Sequence, residues 1–164
     1  MIFAFTGHRC PKIGGFNLPN PTYNFVCQQI EKTLQGLKPE KIISGMALGV
    51  DQWAANIAIK LNIPFIAAVP FEGQEKAWPL ESQKIFHKLL SKASEIVIVS
   101  EGGYAAYKMQ IRNEWMVDQC DKLIAVWDGS PGGTGNCVKY AQNKDKEIIR
   151  INPTMIHLLS GIVG

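Results

Sequence analysis

Glycine-rich turns that lead directly into helix-like runs are the segments of this sequence best suited to chemistry. One spans Ser44–Asp51 and contains Gly45 and Gly49, and the other spans Asp128–Asn136 and contains four glycines. Glycine lets the backbone approach a phosphate, and a helix start offers unpaired N–H groups with a partial positive charge. Each glycine alone also fits a tight turn that needs a positive φ. Two such turns in one chain favour a phosphate-bearing ligand.

Neither turn matches the best-known phosphate-binding motifs. Gly45 and Gly49 are followed by Val50 and Asp51, without the lysine of the GxxxxGK[ST] loop. The dinucleotide-binding pattern GxGxxG is also absent. A Walker ATPase and an ordinary NAD dehydrogenase are therefore disfavoured.

Several polar side chains near these turns could contact a ligand or act as structural devices. Arg9, next to His8, could hold a phosphate with two hydrogen bonds or form a surface ion pair. Asp51 could accept hydrogen bonds from ribose hydroxyls or simply stabilise a helix start. Arg112 and Asn113 are predicted to begin a helix, where a cation opposes the helix dipole; this favours a ligand role for Arg112.

Two glutamates are candidate general acids or bases, and each could equally be a solvated surface charge. They are Glu72 and Glu114. Among the aromatic residues, Trp53, Trp115 and Trp127 are expected in the core, because large rings bury more apolar area there than on a base-stacking surface.

Short apolar runs alternate with helix-like runs along the whole chain. The predicted strands are Ile2–Thr6, Lys41–Ser44, Pro64–Val69, Ile96–Val99, Leu123–Trp127 and Glu147–Ile151. The predicted helices are one carrying Val26, Ile30 and Leu34 and closed by Gly36 and Pro39, then Val50–Leu61, one from Pro79, Gln110–Cys120, and one ending near Asn143. Continuous apolar strands between helices predict an α/β fold: a Rossmann-like three-layer sandwich, with a mostly parallel sheet and helices on both faces. Because ligands bind beyond the carboxyl ends of such strands, the fold would bring the polar turns together.

The length of the chain, 164 residues, suits one domain over residues 1–164, with a core large enough to be stable without disulfides or a structural metal. Its 46% hydrophobic and 19% charged content excludes a disordered or fibrous chain. The longest apolar run, Ile63–Phe71, contains two prolines and is shorter than the roughly 18 residues that span a bilayer. The N-terminus lacks the basic region of a secretory signal. We therefore expect a cytoplasmic protein without membrane association.

The four cysteines and three histidines show no metal-binding pattern. Cys10, Cys27, Cys120 and Cys137 form no CxxC pair and have no ligand spacing with the histidines. We expect free, partly buried thiols, and neither a metal nor another cofactor. The net charge of +3 comes from scattered lysines, which suits a small anionic ligand as well as nucleic acid.

Taken together, these turns resemble the SLOG superfamily, the Rossmann-like group that joins the DNA-processing protein DprA to the LOG phosphoribohydrolases. The closest likeness is to its YpsA-like family. The matching stretches are Thr6–Arg9, Ser44–Ala55, Pro70–Gln74, Arg112–Asp118 and Asp128–Thr134. The resemblance implies the same fold and a nucleotide-type pocket. The ligand-binding residues that follow from the turns and the resemblance are Thr6, Gly7, His8, Arg9, Ser44, Gly45, Gly49, Asp51, Arg112, Asn113, Gly132, Gly133 and Thr134.

The LOG enzymes hydrolyse the N-glycosidic bond of nucleoside 5′-monophosphates and carry the signature PGGxGTxxE with an arginine upstream. Here Pro131–Gly135 matches the start of the signature, and Arg112 fits the upstream arginine. Asn136 replaces the threonine, and Lys139 stands where the glutamate should be. A lysine cannot activate water or stabilise an oxocarbenium-like centre as a carboxylate does. The resemblance therefore implies retained phosphate binding without the usual catalytic group.

Three functions follow as hypotheses. The first is a pocket that binds a nucleotide or nucleotide-derived ligand without chemistry. The second is a nucleoside 5′-monophosphate N-glycosidase, in which Glu72, Glu114 or Asp128 would replace the missing glutamate. The third is binding of single-stranded nucleic acid, as in DprA-like proteins, which share the SGxxxGxD pattern; it fits less well, because no basic patch is concentrated here. By analogy with the LOG enzymes, a homodimer is expected.

Overall fold

The computed structural model describes residues 1–15 and 17–156, which form one parallel α/β unit. The strands are β1 (Ile2–Gly7), β2 (Lys41–Ser44), β3 (Phe65–Val69), β4 (Glu95–Ile98), β5 (Lys122–Val126) and β6 (Glu147–Ile151). The helices are α1 (Pro21–Leu37), α2 (Val50–Lys60), α3 (Leu80–Leu90), α4 (Tyr107–Gln119) and α5 (Gly133–Asn143). Single 3₁₀ turns lie at Cys10–Lys12 and Pro153–Met155. The predicted fold class is confirmed.

Alternation along β1 shows why both faces of the sheet carry helices. Phe3 and Phe5 are fully buried in the core shared with α1, α2 and α3. Ala4, between them, points to the opposite face and packs in the second core, beneath α4 and α5. Successive side chains of a strand alternate between faces, so a continuously apolar strand must be covered twice.

The strand order, β4-β3-β2-β1-β5-β6, creates the crevice that holds the candidate site. The chain builds outward from β1 to β4 and then crosses the whole sheet to place β5 on the other side of β1. Every strand pair is parallel, so the loops after β1 and β5 leave the same edge and diverge. Such a switch point is where ligands bind in open parallel sheets.

The start of α4 corrects one expectation. The helix begins at Tyr107, not at Gln110, so Arg112 and Asn113 lie in its second turn. The prediction that they begin the helix was therefore wrong, and the helix dipole gives no reason for a ligand role of Arg112. The first turn was missed because no side chain caps it.

The end of α1 also differs from the prediction. Gly36 lies inside the helix, which continues to Leu37 and ends at Lys38 in the left-handed conformation, with φ of 48°. The Lys38 N–H donates to Leu34 O and completes the last turn. Pro39 follows and prevents continuation.

The outer strand β4 is the least covered part of the sheet. Ile96 and Ile98 are each 49% exposed, although their register partners on β3, Ala67 and Val69, are buried. Within the described residues, β4 pairs only with β3, so its outer backbone groups face outward. Among the same residues no helix has the length and apolar character needed to cross a bilayer.

Candidate functional site

A cavity of about 380 Å³ opens at the switch point between β1 and β5. This volume lies in the range of small-molecule sites. Of the predicted ligand-binding residues, those that line the cavity are Thr6, Gly7, His8, Arg9, Asp51, Arg112, Asn113, Gly132, Gly133 and Thr134. Ser44, Gly45 and Gly49 do not line it and instead support the residues that do.

The N-terminus of α5 forms one wall of the cavity, and no side chain of residues 1–15 or 17–156 caps it. Gly132 precedes the helix with φ of 142°, a conformation that side chains rarely adopt. A Cβ on Gly133 would meet no atom within 4 Å, so the backbone there is open to a ligand. The preceding turn is held by Trp127, whose indole Nε1–H donates to Ser130 O at 2.8 Å. The first N–H groups of α5 are thus presented to the cavity by a fixed loop.

Gly45 makes room for two buried charges beneath the cavity. A Cβ at this position would lie 2.6 Å from Arg112 Nη1 and 2.8 Å from Asp51 Oδ2. Arg112 Nη1 donates to the carbonyl oxygens of Gly45 and Ala68, and its Nε donates to Asn113 Oδ1 at 3.0 Å. Arg112 is therefore anchored to backbone on β3 and on the turn after β2, while its buried side chain still reaches the cavity wall.

Asp51 is the acidic side chain that faces the cavity. Its Oδ2 accepts a hydrogen bond from the Ala47 N–H at 3.3 Å. Burial raises the pKa of Asp51, and the nearby Arg112 guanidinium partly opposes that rise. Burial likewise lowers the pKa of Arg112, against the effect of Asp51. The charges of Asp51 and Arg112 thus partly compensate each other, and the Asp51 carboxylate can accept hydrogen bonds from hydroxyl groups.

Ser44 and Gly49 fix the turn that carries Asp51. The Ser44 hydroxyl donates to Asp51 O at 2.7 Å and accepts from the Met46 N–H at 3.2 Å. Gly49 has φ of 103°, and a Cβ there would lie 2.8 Å from the backbone oxygen of His8. The close approach lets the turn after β2 pack on the loop after β1.

His8 and Asp128 tie the loops after β1 and β5 together. His8 Nε2 lies 2.9 Å from Asp128 Oδ1, and His8 is buried. The same oxygen accepts from the Ser130 N–H at 2.9 Å. Hydrogen bonds from Ser130, followed by the effect of His8, lower the pKa of Asp128 to about 2. An acid this strong is ionised near neutral pH and is suited to positioning rather than to proton donation.

The carboxylates considered as catalytic candidates lie outside the cavity wall. Glu72 is exposed on the loop after β3, and Glu114 is half-buried on α4. Asp128 faces His8 and Ser130 rather than the open space. Lys139, at the position of the LOG glutamate, is exposed on α5. Among the residues that line the cavity, Asp51 alone is acidic.

Two cations at the cavity mouth have little else to bind. Arg9 is exposed and, in the described parts of the chain, its guanidinium has no hydrogen-bond or ion-pair partner. Lys12 Nζ makes a long contact of 3.4 Å with Ser130 Oγ. Lys12 was not predicted, and neither were Pro11, Ala47, Met109 and Ser130, which also line the cavity. Met109 would have been found if α4 had been extended by one turn, since it lies three residues before Arg112.

The remaining expectations concern cysteines, metals and tryptophans. The four cysteines are free, as expected, and three of them are buried. Within residues 1–15 and 17–156, no three acidic, histidine or cysteine side chains cluster as metal ligands would. Trp53 lies in the core beneath α1, α2 and α3, and Trp115 packs against the second core, on the opposite face of the sheet. Trp127 instead packs against the Arg150 guanidinium, 5.1 Å from the ring centre.

Solved structures with the same fold include two DNA-processing proteins. DprA from Streptococcus pneumoniae aligns with a TM-score of 0.70 and 18% identity over 97% of this chain. This chain spans 55% of that protein, or about half its length. DprA from Helicobacter pylori, whose structure is described for its single-stranded DNA binding mode, aligns with a TM-score of 0.67 and 19% identity, over 98% of this chain and 73% of its own. At these identities the likeness shows the fold alone.

Closer relatives by sequence come from bacilli. The uncharacterized SPbeta prophage-derived protein YoqJ of Bacillus subtilis (strain 168) is 36% identical over 129 residues, covering 69% of this chain and 75% of its own. A UPF0398 protein of Halalkalibacterium halodurans is 27% identical over 164 residues, covering 92% of this chain and 86% of its own. The family model YpsA, described as the YspA SLOG family, matches residues 3–159. The chain therefore belongs to the YpsA family of SLOG proteins, as the resemblance of its turns predicted.

Proposed function

We propose that the cavity binds a nucleotide or nucleotide-derived ligand through its phosphate. The observation that carries the proposal is the uncapped N-terminus of α5, which opens onto the cavity at Gly132 and Gly133. Helix N-termini of this kind bind phosphate with backbone N–H groups and a favourable dipole. Arg9 and Lys12 at the mouth add charge without competing ion pairs in the described residues.

Asp51 completes the proposed recognition of a nucleotide. A buried carboxylate on the cavity wall suits the ribose hydroxyls, which donate hydrogen bonds. Arg112 supports this role from beneath, because its guanidinium is anchored to the carbonyl oxygens of Gly45 and Ala68. We therefore assign Arg112 to positioning Asp51 and the turn after β2.

Calorimetry with AMP, ADP-ribose, NAD and cyclic nucleotides tests this proposal. We expect saturable binding of at least one of them, weakened about 3- to 30-fold in Lys12→Ala through loss of a phosphate contact. Lys88→Ala, on the exposed surface of α3, is the matched control and should bind as the unmodified protein does. Absence of heat with every compound would refute the proposal.

Hydrolysis of the N-glycosidic bond is a second candidate function, and it is favoured by the position of Asp51 in the cavity. Its carboxyl faces the same cavity as Pro131–Gly135, and its pKa is raised, which suits a group that donates a proton. Incubation with nucleoside monophosphates should then release free base, and Asp51→Asn should abolish the release while Glu72→Gln leaves it intact. No free base from any monophosphate would exclude this candidate.

Single-stranded DNA is a third candidate, supported by the fold shared with the two DprA proteins. The exposed Arg9 and Lys12 could contact a DNA backbone as well as a free phosphate. A gel shift with a single-stranded oligonucleotide at physiological salt separates the two. We expect no shift at protein concentrations that saturate a nucleotide; a shift that AMP does not compete would favour DNA instead.

We further propose a cytoplasmic homodimer. Four free cysteines fit a reducing compartment. The outer edge of β4 is the surface that we expect two copies to share. Antiparallel pairing centred on Val97 would set Ile96 of one copy opposite Ile98 of the other, on the same face. It would also bring Lys92, before the strand, towards Glu101, after the strand of the other copy.

A further inference from the structure

A small side pocket of about 50 Å³ adjoins the main cavity; it shares Arg9 with the proposed phosphate contacts, but its remaining lining residues have no part in them. It is lined by Arg9, Ala47, Leu48, Gln74, Trp78 and Met109. Arg9, Ala47 and Met109 also line the main cavity, so the two spaces adjoin along a shared wall. The volume of the side pocket holds about three or four water molecules, which is enough for one edge of a heterocycle.

Gln74 is the buried polar group of this pocket, which the exposed Arg9 also lines, and the orientation of the Gln74 amide follows from one contact. The side chain is only 7% exposed, and its Nε2–H donates to Gly45 O at 3.5 Å. The opposite orientation of the amide would set two carbonyl oxygens against each other, so Oε1 must point away from Gly45. This orientation leaves an acceptor for a ligand.

The Oε1 atom of Gln74 has no hydrogen-bond partner among the described residues. In that part of the chain, no side-chain nitrogen or oxygen is both sealed from solvent and unpaired. Oε1 therefore reaches open space, and the side pocket is the space against this otherwise buried residue. An unpaired acceptor on a buried side chain selects for a ligand that supplies an N–H group.

The apolar walls of the slot suit a flat aromatic ring. Leu48, Trp78 and Met109 line the pocket together with Gln74. Trp78 is held in place by an edge-on contact with Phe86, with 5.4 Å between ring centres, and by Gln83 Nε2, which donates to Trp78 O at 2.8 Å. A ring that enters the slot would thus meet a fixed aromatic side chain and a buried amide.

We infer that the side pocket receives the amino edge of an adenine base, an inference that rests on the proposed nucleotide function. Glutamine amides recognise adenine by accepting from its exocyclic amine while donating to an adjacent ring nitrogen. Gln74 has Oε1 and its second Nε2–H available for these two bonds. The ligand class is accordingly an adenosine 5′-phosphate or a derivative, with its phosphate at α5 and its base beside Trp78.

The first experiment compares ligands on the unmodified protein. AMP, ribose 5-phosphate and purine riboside 5′-monophosphate, which is AMP without its 6-amino group, are titrated by calorimetry. We expect purine riboside 5′-monophosphate to bind about tenfold more weakly than AMP, as for one lost hydrogen bond to a buried amide. Equal affinities for these two compounds, or for AMP and GMP, would overturn the assignment to adenine.

The second experiment uses Gln74→Met, which keeps the length of the side chain and removes the amide. This variant should lose the preference for AMP over purine riboside 5′-monophosphate and bind ribose 5-phosphate unchanged. Gln28→Met on the exposed surface of α1 is the control and should keep the preference. If ribose 5-phosphate binds and the base adds nothing, this inference fails while the phosphate site stands; if no compound binds, both fail.

Discussion

Several residues of this protein support the site without lining the cavity, either by leaving room for a neighbouring side chain or by fixing the position of a backbone turn. Gly45 is the clearest case, because its lack of a side chain leaves the space that Arg112 and Asp51 occupy. Arg112 in turn donates two hydrogen bonds to backbone carbonyl oxygens and one to the Asn113 side chain. A residue that lies outside the cavity can therefore control its shape.

Gly45→Ala should destabilise the fold. The new methyl group would lie 2.7 Å from Arg112 Cζ, and Arg112 cannot withdraw without leaving buried carbonyl oxygens unpaired. We expect a loss of about 1–3 kcal/mol in the free energy of unfolding, measured by urea titration. Gly133→Ala is the matched control, since a Cβ there meets no atom within 4 Å. Similar losses in both variants would show that crowding at Gly45 is not the cause.

The lowered pKa of Asp128 predicts that the stability of the folded protein decreases at acidic pH. Its folded pKa of about 2 lies below the ordinary value of 3.8, so its ionised form stabilises the folded state. That stabilisation is complete above the ordinary value and is lost as the pH falls through 3.8 towards 2. Asp128→Asn should therefore destabilise the protein at pH 7, and the difference from the unmodified protein should shrink towards pH 2.

Thermal melts from pH 7 to pH 2 provide the measurement. Asp145→Asn is a suitable control, because Asp145 is exposed with φ of 56°, which asparagine tolerates equally well. A difference between Asp128→Asn and the unmodified protein that stays constant with pH would contradict the assigned role.

At the scale of elements, the site is formed where the loops after β1 and β5 meet residues of α2, α4 and the start of α5. Among the described residues, no side chain caps the first turn of α5, so an anion from outside can complete it. Helix stability and ligand binding should therefore respond in opposite directions when a carboxylate is added to this turn.

Gly133→Asp tests that opposition. A carboxylate at the uncapped start of α5 interacts favourably with the helix dipole and should raise the free energy of unfolding by about 0.3–1 kcal/mol. The same charge would repel a phosphate and should abolish nucleotide binding in calorimetry. Gly133→Asn, without the charge, should bind measurably. Retained nucleotide binding by Gly133→Asp would place the phosphate elsewhere.

The elements were predictable from the sequence because apolar runs of four to six residues between glycine and proline turns have few alternatives. The bounds of β2 and β6 agree with the prediction, and β1 is one residue longer. The start of α4 was missed because its first turn lacks a capping side chain. The turns of the site were predictable because parallel strands end at one edge. Lys12, Met109 and the anchoring of Arg112 were not, since they depend on contacts between distant segments.

For the whole molecule, coverage of the sheet is uneven. The centre of the sheet is buried on both faces, whereas β4 leaves Ile96 and Ile98 half-exposed at the edge. An apolar edge strand with free backbone groups pairs readily with another strand. In the proposed homodimer, that strand comes from a second copy.

Ile98→Lys should convert the proposed dimer to a monomer. A lysine at the two-fold contact introduces like charges from both copies into an apolar surface, and charged residues on edge strands block pairing. Light scattering coupled to size-exclusion chromatography gives the mass. Leu37→Lys, an exposed apolar position at the end of α1, should leave it unchanged. A monomeric mass for the unmodified protein would rule out the dimer.

The strand order also bears on when the site comes into existence during folding. The His8–Asp128 contact that joins the cavity walls connects residues 120 positions apart in the chain. The cavity cannot form until β5 has crossed the sheet and docked beside β1, and such distant pairings are the slow part of folding. A ligand bound there stabilises only chains whose sheet is complete. Ligand affinity is therefore a property acquired in the last stage of folding.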